Sequence, residues 1–353
     1  MTIKYKLLAA AYLALAFAVL PSCDSEDTIS VGEPKIFGVK ADTINKRQTI
    51  TIQGENLGVM PKNAYVLIDD NMKIISDSTK GWNNSKIEFF PPQDTGMHTL
   101  RIVLGKDTTN STTYYLRHHR PIEMVIIPRV EFQMGSKIGH MDEKPVHKVV
   151  FTKDILVAKY EVSQALWLDI NDDNPSIDID ESKPVHNLSW LDAVLFCNKL
   201  SQAEGLAECY QINGDEVSFD YEATGYRLPT EAEWENSCRA FTNTDYHNEG
   251  ELNAVGWFVE NSAGSLHPVG KLMPNLYGLY DMHGNVWEYV WDYYSADSYT
   301  SSNNTNPTGP STGDRRVVRG GAYNSGKAYC RSTNRTIPDD VKPTVGIRLV
   351  KNK

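Results

Sequence analysis

Four positions in one short stretch have the types and spacing to hold a cation. They lie in Gly278-Leu-Tyr-Asp-Met-His-Gly-Asn-Val-Trp-Glu-Tyr-Val-Trp-Asp292. Asp281 and Glu288 supply carboxylates, and Gly284 and Val286 between them supply backbone carbonyls. Oxygen-only ligands in a tight turn suit calcium. Two carboxylates in one buried turn also repel unless a cation neutralises them. The same acids could instead cap turns and pair with arginines, and residue type alone does not separate the two roles. No simple period fits the stretch. Alternation fails, and Gly284-Asn285 would break a helix at its centre, so an irregular turn is predicted, with Gly284 where a side chain cannot sit.

Other chemistry-bearing groups are sparser. The loop 171–182 carries five acids and could take a second cation, but it lacks a glycine-turned frame and reads as a solvated acidic loop. Adjacent His118 and His119 read as part of a polar linker. Cys197, Cys209, Cys238 and Cys330 form no CxxC pair and no zinc spacing, and either disulfides or buried free thiols fit them. Arg316, Arg319, Arg331, Arg335 and Arg348 stand among aromatics. That pattern points to buried ion pairs and stacking, with the alternative that some floor a pocket for an anionic or peptidic ligand. A GxSxG elbow, an HExxH helix and a phosphate-cradling glycine loop are all missing from the sequence.

The elements that position these groups fall into two regions. Residues 31–117 read as seven short strands: 35–39, 49–53, 64–68, 73–76, 86–90, 99–103 and 112–116. Alternation and Gly, Asn, Asp and Pro punctuation suggest a small β-sandwich. Residues 118–123 read as a linker, and 124–353 as an α+β domain with little regular secondary structure. Three helices are predicted there: Ser163–Ile170, Ser189–Ala203 and Thr230–Ala240. The third opens on a Thr-x-x-Glu capping box, Thr230 with Glu233, which makes its glutamates caps rather than catalytic acids. Residues 292–314 read as a surface loop rich in Ser, Thr, Asn and Pro.

A series of blocks between 124 and 350 resembles the formylglycine-generating enzyme, or sulfatase-modifying factor, family. They are Met124-Val-Ile-Ile-Pro, Phe132-Gln-Met-Gly-Ser136, Asp142-Glu-Lys-Pro-Val-His147, Lys159-Tyr-Glu-Val-Ser163 and Pro184-Val-His-Asn-Leu-Ser-Trp190. Gly225-Tyr-Arg-Leu-Pro-Thr-Glu-Ala-Glu-Trp-Glu235, His267-Pro-Val-Gly270, the stretch around Gly284, Arg316-Val-Val-Arg-Gly-Gly321 and Val345-Gly-Ile-Arg348 follow in order. The resemblance implies a compact fold related to C-type lectins, with a structural calcium at Asp281, Gly284, Val286 and Glu288. A second family calcium site would fall near Asn253–Ser262, where no ligands can be matched. Gly54-Glu-Asn-Leu-Gly58, Trp82-Asn-Asn-Ser-Lys-Ile87 and Pro91–Gly96 resemble the IPT/TIG immunoglobulin-like module, a spacer or interaction surface.

The family's oxidase holds copper(I) between two cysteines spaced C-x4-C after a Gly-Gly-Ser-Tyr turn. Two soft thiolates bind copper(I), and one alone does not enclose it. Here the turn reads Gly320-Gly-Ala-Tyr-Asn-Ser-Gly-Lys-Ala-Tyr-Cys330. Counting from the glycines puts Ser325 at the first cysteine and Cys330 at the second. Counting back from Arg335 and Arg348 leaves neither position a cysteine. Ala322 replaces the turn's serine, and nothing in the sequence brings Cys197, Cys209 or Cys238 to this turn. No catalytic residue and no copper are expected. Three classes compete: a copper-dependent formylglycine-generating oxidase acting on sulfatases, a non-catalytic envelope lipoprotein binding protein partners or another ligand, and a surface glycan binder using Tyr289, Trp291, Tyr293 and Tyr294. The second is favoured. Those aromatics read as core, since glycines and acids frame them.

Residues 1–22 read as a signal peptide and 23–30 as a tether. Lys4 and Lys6 precede an apolar run, Leu7–Leu20, too short to span a bilayer comfortably. Leu20-Pro-Ser-Cys23 resembles a lipobox whose cysteine is lipidated, and Asp24-Ser-Glu-Asp27 resembles an acidic surface-export tag. An outer-membrane lipoprotein of a Gram-negative bacterium, periplasmic or surface-exposed, is expected, with envelope proteins or a surface ligand as partners. The net charge of −10 argues against nucleic acid, which needs a basic face. Metabolic labelling with a fatty-acid probe should mark the wild type and not Cys23→Ala. Equal labelling of both would end the lipidation reading.

Overall fold

The structure is a computed structural model that describes residues 32–44, 47–58, 63–75, 79–90, 96–116, 120–214, 216–248, 251–300, 304–341 and 343–353. The expected signal peptide, the 23–30 tether with Cys23, and residues 118–119 of the linker lie outside these residues. No described helix is long and apolar enough to cross a membrane. The chain divides into two compact units. One holds the segment up to Gly38 with Ile52–Phe89 and Leu100–Thr112, and the other holds Val39–Thr51, Phe90–Thr99 and Thr113–Lys353.

The N-terminal strands build two sheets. One runs in the order Lys35–Ile44, Arg47–Glu55, Lys86–Phe89, Thr79–Trp82. The other runs Met72–Ile75, Ala64–Ile68, Gly96–Leu104, Asp107–Thr108, with Thr112–Leu116 also paired to Gly96–Leu104. Val66, Ile68, Leu100 and Ile102 are buried, as are Ile52, Leu57, Trp82, Ile87 and Phe89. Trp82 Nε1 donates to the Leu57 carbonyl at 2.7 Å, satisfying the one polar atom of a buried indole. All seven expected strands are present. Thr79–Trp82 and Asp107–Thr108 are additional. The first contains Gly81 and reads as a turn, and the second is too short to show a period.

The larger unit is β-rich, with small sheets and three short helices, α1 (Gln164–Ile170), α2 (Trp190–Ala203) and α3 (Glu231–Arg239). Each starts where a side chain can satisfy free N–H groups of the first turn. Ser163 Oγ accepts from Leu166 N, Ser189 forms a capping box with Asp192, and Thr230 forms one with Glu233. The helices therefore begin one residue after the predicted starts, because those residues are caps. The largest sheet of this unit runs Arg335–Thr336, Arg316–Arg319, Trp287–Tyr293, Val345–Gly346. Its buried aliphatics and aromatics pack against α1 and α2, with Trp167 stacked on Phe196 at 4.8 Å.

All nine residues of α3 are buried, including three glutamates and Arg239. Buried charges persist only when paired and hydrogen-bonded. Glu231 accepts from Arg319 Nη1 at 3.0 Å and from Arg335 Nε and Nη2 at 2.8 and 2.6 Å. Glu235 accepts from Arg319 Nη2 at 2.7 Å and Arg239 Nε at 2.9 Å. Glu233 takes Arg227 Nη1 and Nη2 at 2.6 and 2.8 Å while capping its own helix. The glutamates are thus caps and ion-pair partners together. Glu231→Ala leaves buried Arg335 with no carboxylate and Arg319 with Glu235 alone, so urea unfolding should show a loss of about 3–5 kcal/mol. A loss under about 1 kcal/mol would show that the lattice does not hold the fold.

Candidate functional site

The stretch 278–292 is an irregular turn followed by the strand Trp287–Tyr293. Gly278, Asp281, Gly284 and Asn285 all have positive φ, at 86°, 56°, 88° and 61°. A Cβ on Gly284 would lie 1.9 Å from the Trp257 carbonyl oxygen, so only glycine fits. The turn is tied on two sides. Gly284 N donates to Gly320 O and Asn285 N to Trp257 O, while Tyr323 N donates back to Asn285 O, at 2.8–2.9 Å. These bonds set it against the Gly320–Cys330 segment that carries the oxidase's cysteines in the family.

Three carboxylates converge here. Glu288 is held by Arg348, whose Nη2 lies 2.6 Å from Oε1, and by Trp234 Nε1, 2.7 Å from Oε2. Asp281 Oδ2 accepts from Gly270 N at 2.6 Å, but its Oδ1 is buried with no partner. Glu161 accepts from Asn285 Nδ2 at 2.7 Å and Val286 N at 3.2 Å. Glu161 lies in the loop after the strand Ile155–Ala158, and nothing local in the sequence signals that it meets Asp281 and Glu288. Arg348 is the one guanidinium acting on this group of acids. Burial pushes Asp281 up to about 6. Burial, and then the charges of Asp281 and Glu288, push Glu161 well above the carboxylate range.

These acids fit a cation in charge and donor type. Three carboxylates face one arginine, and Asp281 Oδ1 is an orphaned acceptor. As the side chains stand, no group of three or more His, Cys, Asp or Glu among the described residues is arranged around a common metal position. Both roles offered for Glu288 bear on the same atoms, since its oxygens already pair with Arg348. Segment 253–262 offers less: Asn261 binds Phe258 N and Gly256 O with its amide. Loop 171–182 is organised by protein contacts. Gln164 binds Asp178 O, Asp180 N and Asn174, and Lys183 pairs with Asp178.

The oxidase turn is filled differently. Gly320 and Gly321 have φ of 98° and 79°, and a Cβ on Gly321 would lie 2.6 Å from Cys330 Sγ. Ser325 Oγ accepts from Ala322 N at 3.0 Å, serving as a turn cap. Cys330 is fully buried among Tyr246, Leu252, Val255 and Phe258. Burial, with the nearby Cys238 thiol, pushes Cys330 up to about 12, so it stays protonated. The sequence suggested no distant cysteine near this turn, and that expectation is corrected. Cys238, on α3, sits 3.7 Å from His283 Nε2, and His283 Nδ1 donates to the Cys330 carbonyl at 2.8 Å. Helix α3 and the strand pair at His283 bring them together across 92 residues, a separation with no sequence signature. Burial and His247 depress His283 to about 3, keeping it neutral. Ser325 and Cys330 do not supply the adjacent thiolate pair that copper(I) requires. The four described cysteines are free and buried.

Tyr289 and Trp291 are buried, and Tyr293 and Tyr294 are half-buried, which fits a packed turn better than an open platform. Arg319, Arg331, Arg335 and Arg348 all pair with carboxylates.

Residues 115–353 match the model of the sulfatase-modifying factor enzyme 1-like domain. The chain is 29% identical over 243 residues to the chaperone protein LppX of Paenibacillus barcinonensis, covering 58% of this chain and 83% of that one. It is 36% identical over 150 residues to the formylglycine-generating enzyme of Streptomyces coelicolor, covering 36% of this chain and 47% of the enzyme. Among solved structures, Treponema denticola variable protein 1 superposes with a TM-score of 0.59 at 29% identity, covering 72% of this chain and 99% of that one. The family match spans both the carboxylate turn and the altered cysteine turn, and the chain belongs to the sulfatase-modifying factor enzyme 1-like, or formylglycine-generating enzyme, family.

Proposed function

We propose that this chain is a cell-envelope lipoprotein whose family domain binds a protein or another ligand and does not make formylglycine. The N-terminal strands then serve as an immunoglobulin-like spacer above an acyl anchor at Cys23, placing the domain at the outer membrane, periplasmic or surface-exposed. The observation that carries the reading is the donor set of the Gly320–Cys330 turn. Ser325 is a backbone cap, Ala322 brings no hydroxyl, and Cys330 is an entombed, protonated thiol. A nucleophilic or metal-binding thiol needs thiolate character and access. One observation favours the oxidase as a second reading: the Cys238 thiol lies beside His283, which donates to the Cys330 backbone carbonyl.

Calcium belongs to this proposal as a structural ion. Asp281, Glu161 and Glu288 would hold it, with the carbonyls of Gly284 and Val286, and its charge would neutralise acids that a single arginine leaves in excess. In a calcium-loaded preparation a chelator should lower the melting temperature, by roughly 2–4 °C for each kcal/mol of stabilisation withdrawn. Asp281→Ala should remove that sensitivity. A melt indifferent to chelator in the wild type would sink the site.

A peptide carrying a sulfatase cysteine motif separates the two functional readings. Incubated with the full chain and copper(I), it should remain unmodified by mass spectrometry. Aldehyde formation, together with stoichiometric copper(I) binding that Cys330→Ser abolishes, would establish the oxidase instead.

A further inference from the structure

Arg316 differs from every other buried arginine described. Arg227, Arg239, Arg319, Arg331, Arg335 and Arg348 each pair with a glutamate. Arg316 is only 7% exposed, yet no carboxylate lies within ion-pair distance of it among the described residues. Its guanidinium carbon lies 3.7 Å from the Trp190 ring centroid and 3.5 Å from that of Tyr293, with Trp291 at 4.6 Å. Those rings fix the plane of the cation by stacking. Nη1 is committed to the Trp291 carbonyl. Among the described residues Nε and Nη2 have no hydrogen-bond partner, and neither is fully sealed from solvent.

The neighbouring acid does not neutralise it. Asp292 is turned inward, with Oδ2 accepting from Glu231 N at 2.8 Å. Burial pushes Asp292 up to about 8, with the Glu231 charge adding to it, so it is largely protonated at neutral pH. Burial lowers Arg316 only to about 10, so the cation persists. A stacked, desolvated guanidinium with one open edge is therefore left without a paired carboxylate among the described residues, Asp292 acting on it only from a distance.

That open edge has a known occupant elsewhere in this molecule. Arg335 grips Glu231 through Nε and Nη2 at 2.8 and 2.6 Å, and Arg120 grips Asp169 the same way at 2.8 and 3.3 Å. Two parallel N–H groups match the two oxygens of a carboxylate. We propose that Arg316, stacked by Trp190 and Tyr293, is a receptor for the side-chain carboxylate of an acidic residue on a protein partner. A sugar acid fits less well, because the cation covers the ring faces of Trp190 and Tyr293 turned toward it, and sugars need a free aromatic face. The inference deepens the binding reading above and rests on it. Formylglycine formation in the peptide assay would overturn that reading, whereas the experiment below judges Arg316 alone.

The full chain, nitrogen-labelled, is titrated with the amide of acetyl-glutamate, with acetate and with glucuronate, against sodium chloride at matched ionic strength. The Arg316 Nε–H resonance is followed in the wild type, and the indole N–H resonance of Trp190, which stacks on Arg316, in the wild type and both variants. The glutamyl amide and acetate should shift both saturably and chloride should not. Arg316→Lys keeps the charge but loses the fork, and should weaken binding about tenfold or more. Arg316→Met should abolish it, with native near-ultraviolet circular dichroism confirming the fold. Arg316→Lys arbitrates if the methionine variant misfolds. A titration that matches chloride, or wild-type affinity in Arg316→Lys, overturns the assignment. Binding of glucuronate alone overturns the peptide source.

Discussion

The structure depends on burying a nine-residue helix that carries three glutamates and an arginine. Helix α3 has no solvent face, so every glutamate on it must find a guanidinium. Arg227 comes from the loop before the helix, Arg319 from the strand beside it, and Arg335 from the short strand beyond. The Arg319 and Arg335 pairs therefore join segments far apart in the chain, while Arg227 ties the helix to the loop just before it. In a domain with little regular secondary structure, this replaces the cooperative backbone ladder that a large sheet would supply. Desolvating these ions is costly, and a buried pair is weak evidence of net stability. Its stronger effect is on specificity. Only one arrangement of these loops satisfies all the charges, because bidentate pairs fix direction as well as distance.

The same lattice positions the candidate site. Arg319 holds Glu231 and Glu235 and is followed directly by Gly320 and Gly321. The strand that pairs with Arg319 places Glu288 opposite it. Glu288 in turn takes Trp234 from α3 and Arg348 from the C-terminal segment. The carboxylate turn and the altered cysteine turn are thus fastened to one frame. Retention of the fold says little about retention of the chemistry.

Much of the architecture was legible in the sequence because its signals are local. Thr230 with Glu233 is a box four residues long, and its geometry appears in the structure as read. Gly284 was assigned to a position without room for a side chain, and Trp257 O occupies that room. The candidate site was legible only in part. Asp281 and Glu288 stood out because they share one stretch, whereas Glu161 arrives from more than a hundred residues away. Cys238 was missed for the same reason. Its neighbours on α3 gave it the character of a buried helix residue, and only tertiary packing turns it toward His283. The two extra N-terminal strands failed on length and glycine content, where periodicity carries no information.

Arg316 and Cys330 mark opposite outcomes of one constraint. Both are polar groups taken out of water near the sheet that carries the family's signature, at 7% and 0% exposure. A thiol tolerates this burial by staying protonated, and Cys330 does so, which costs it nucleophilicity and metal affinity together. A guanidinium has no such escape, since it keeps its proton at any physiological pH. Its burial must be offset by stacking and by an anion. The rings of Trp190 and Tyr293 supply the stacking. Among the described residues no carboxylate pairs with it, although one pairs with each of the other buried arginines. On the proposal above that anion comes from a partner, and a fixed fork between aromatic rings suits a planar carboxylate better than a spherical ion.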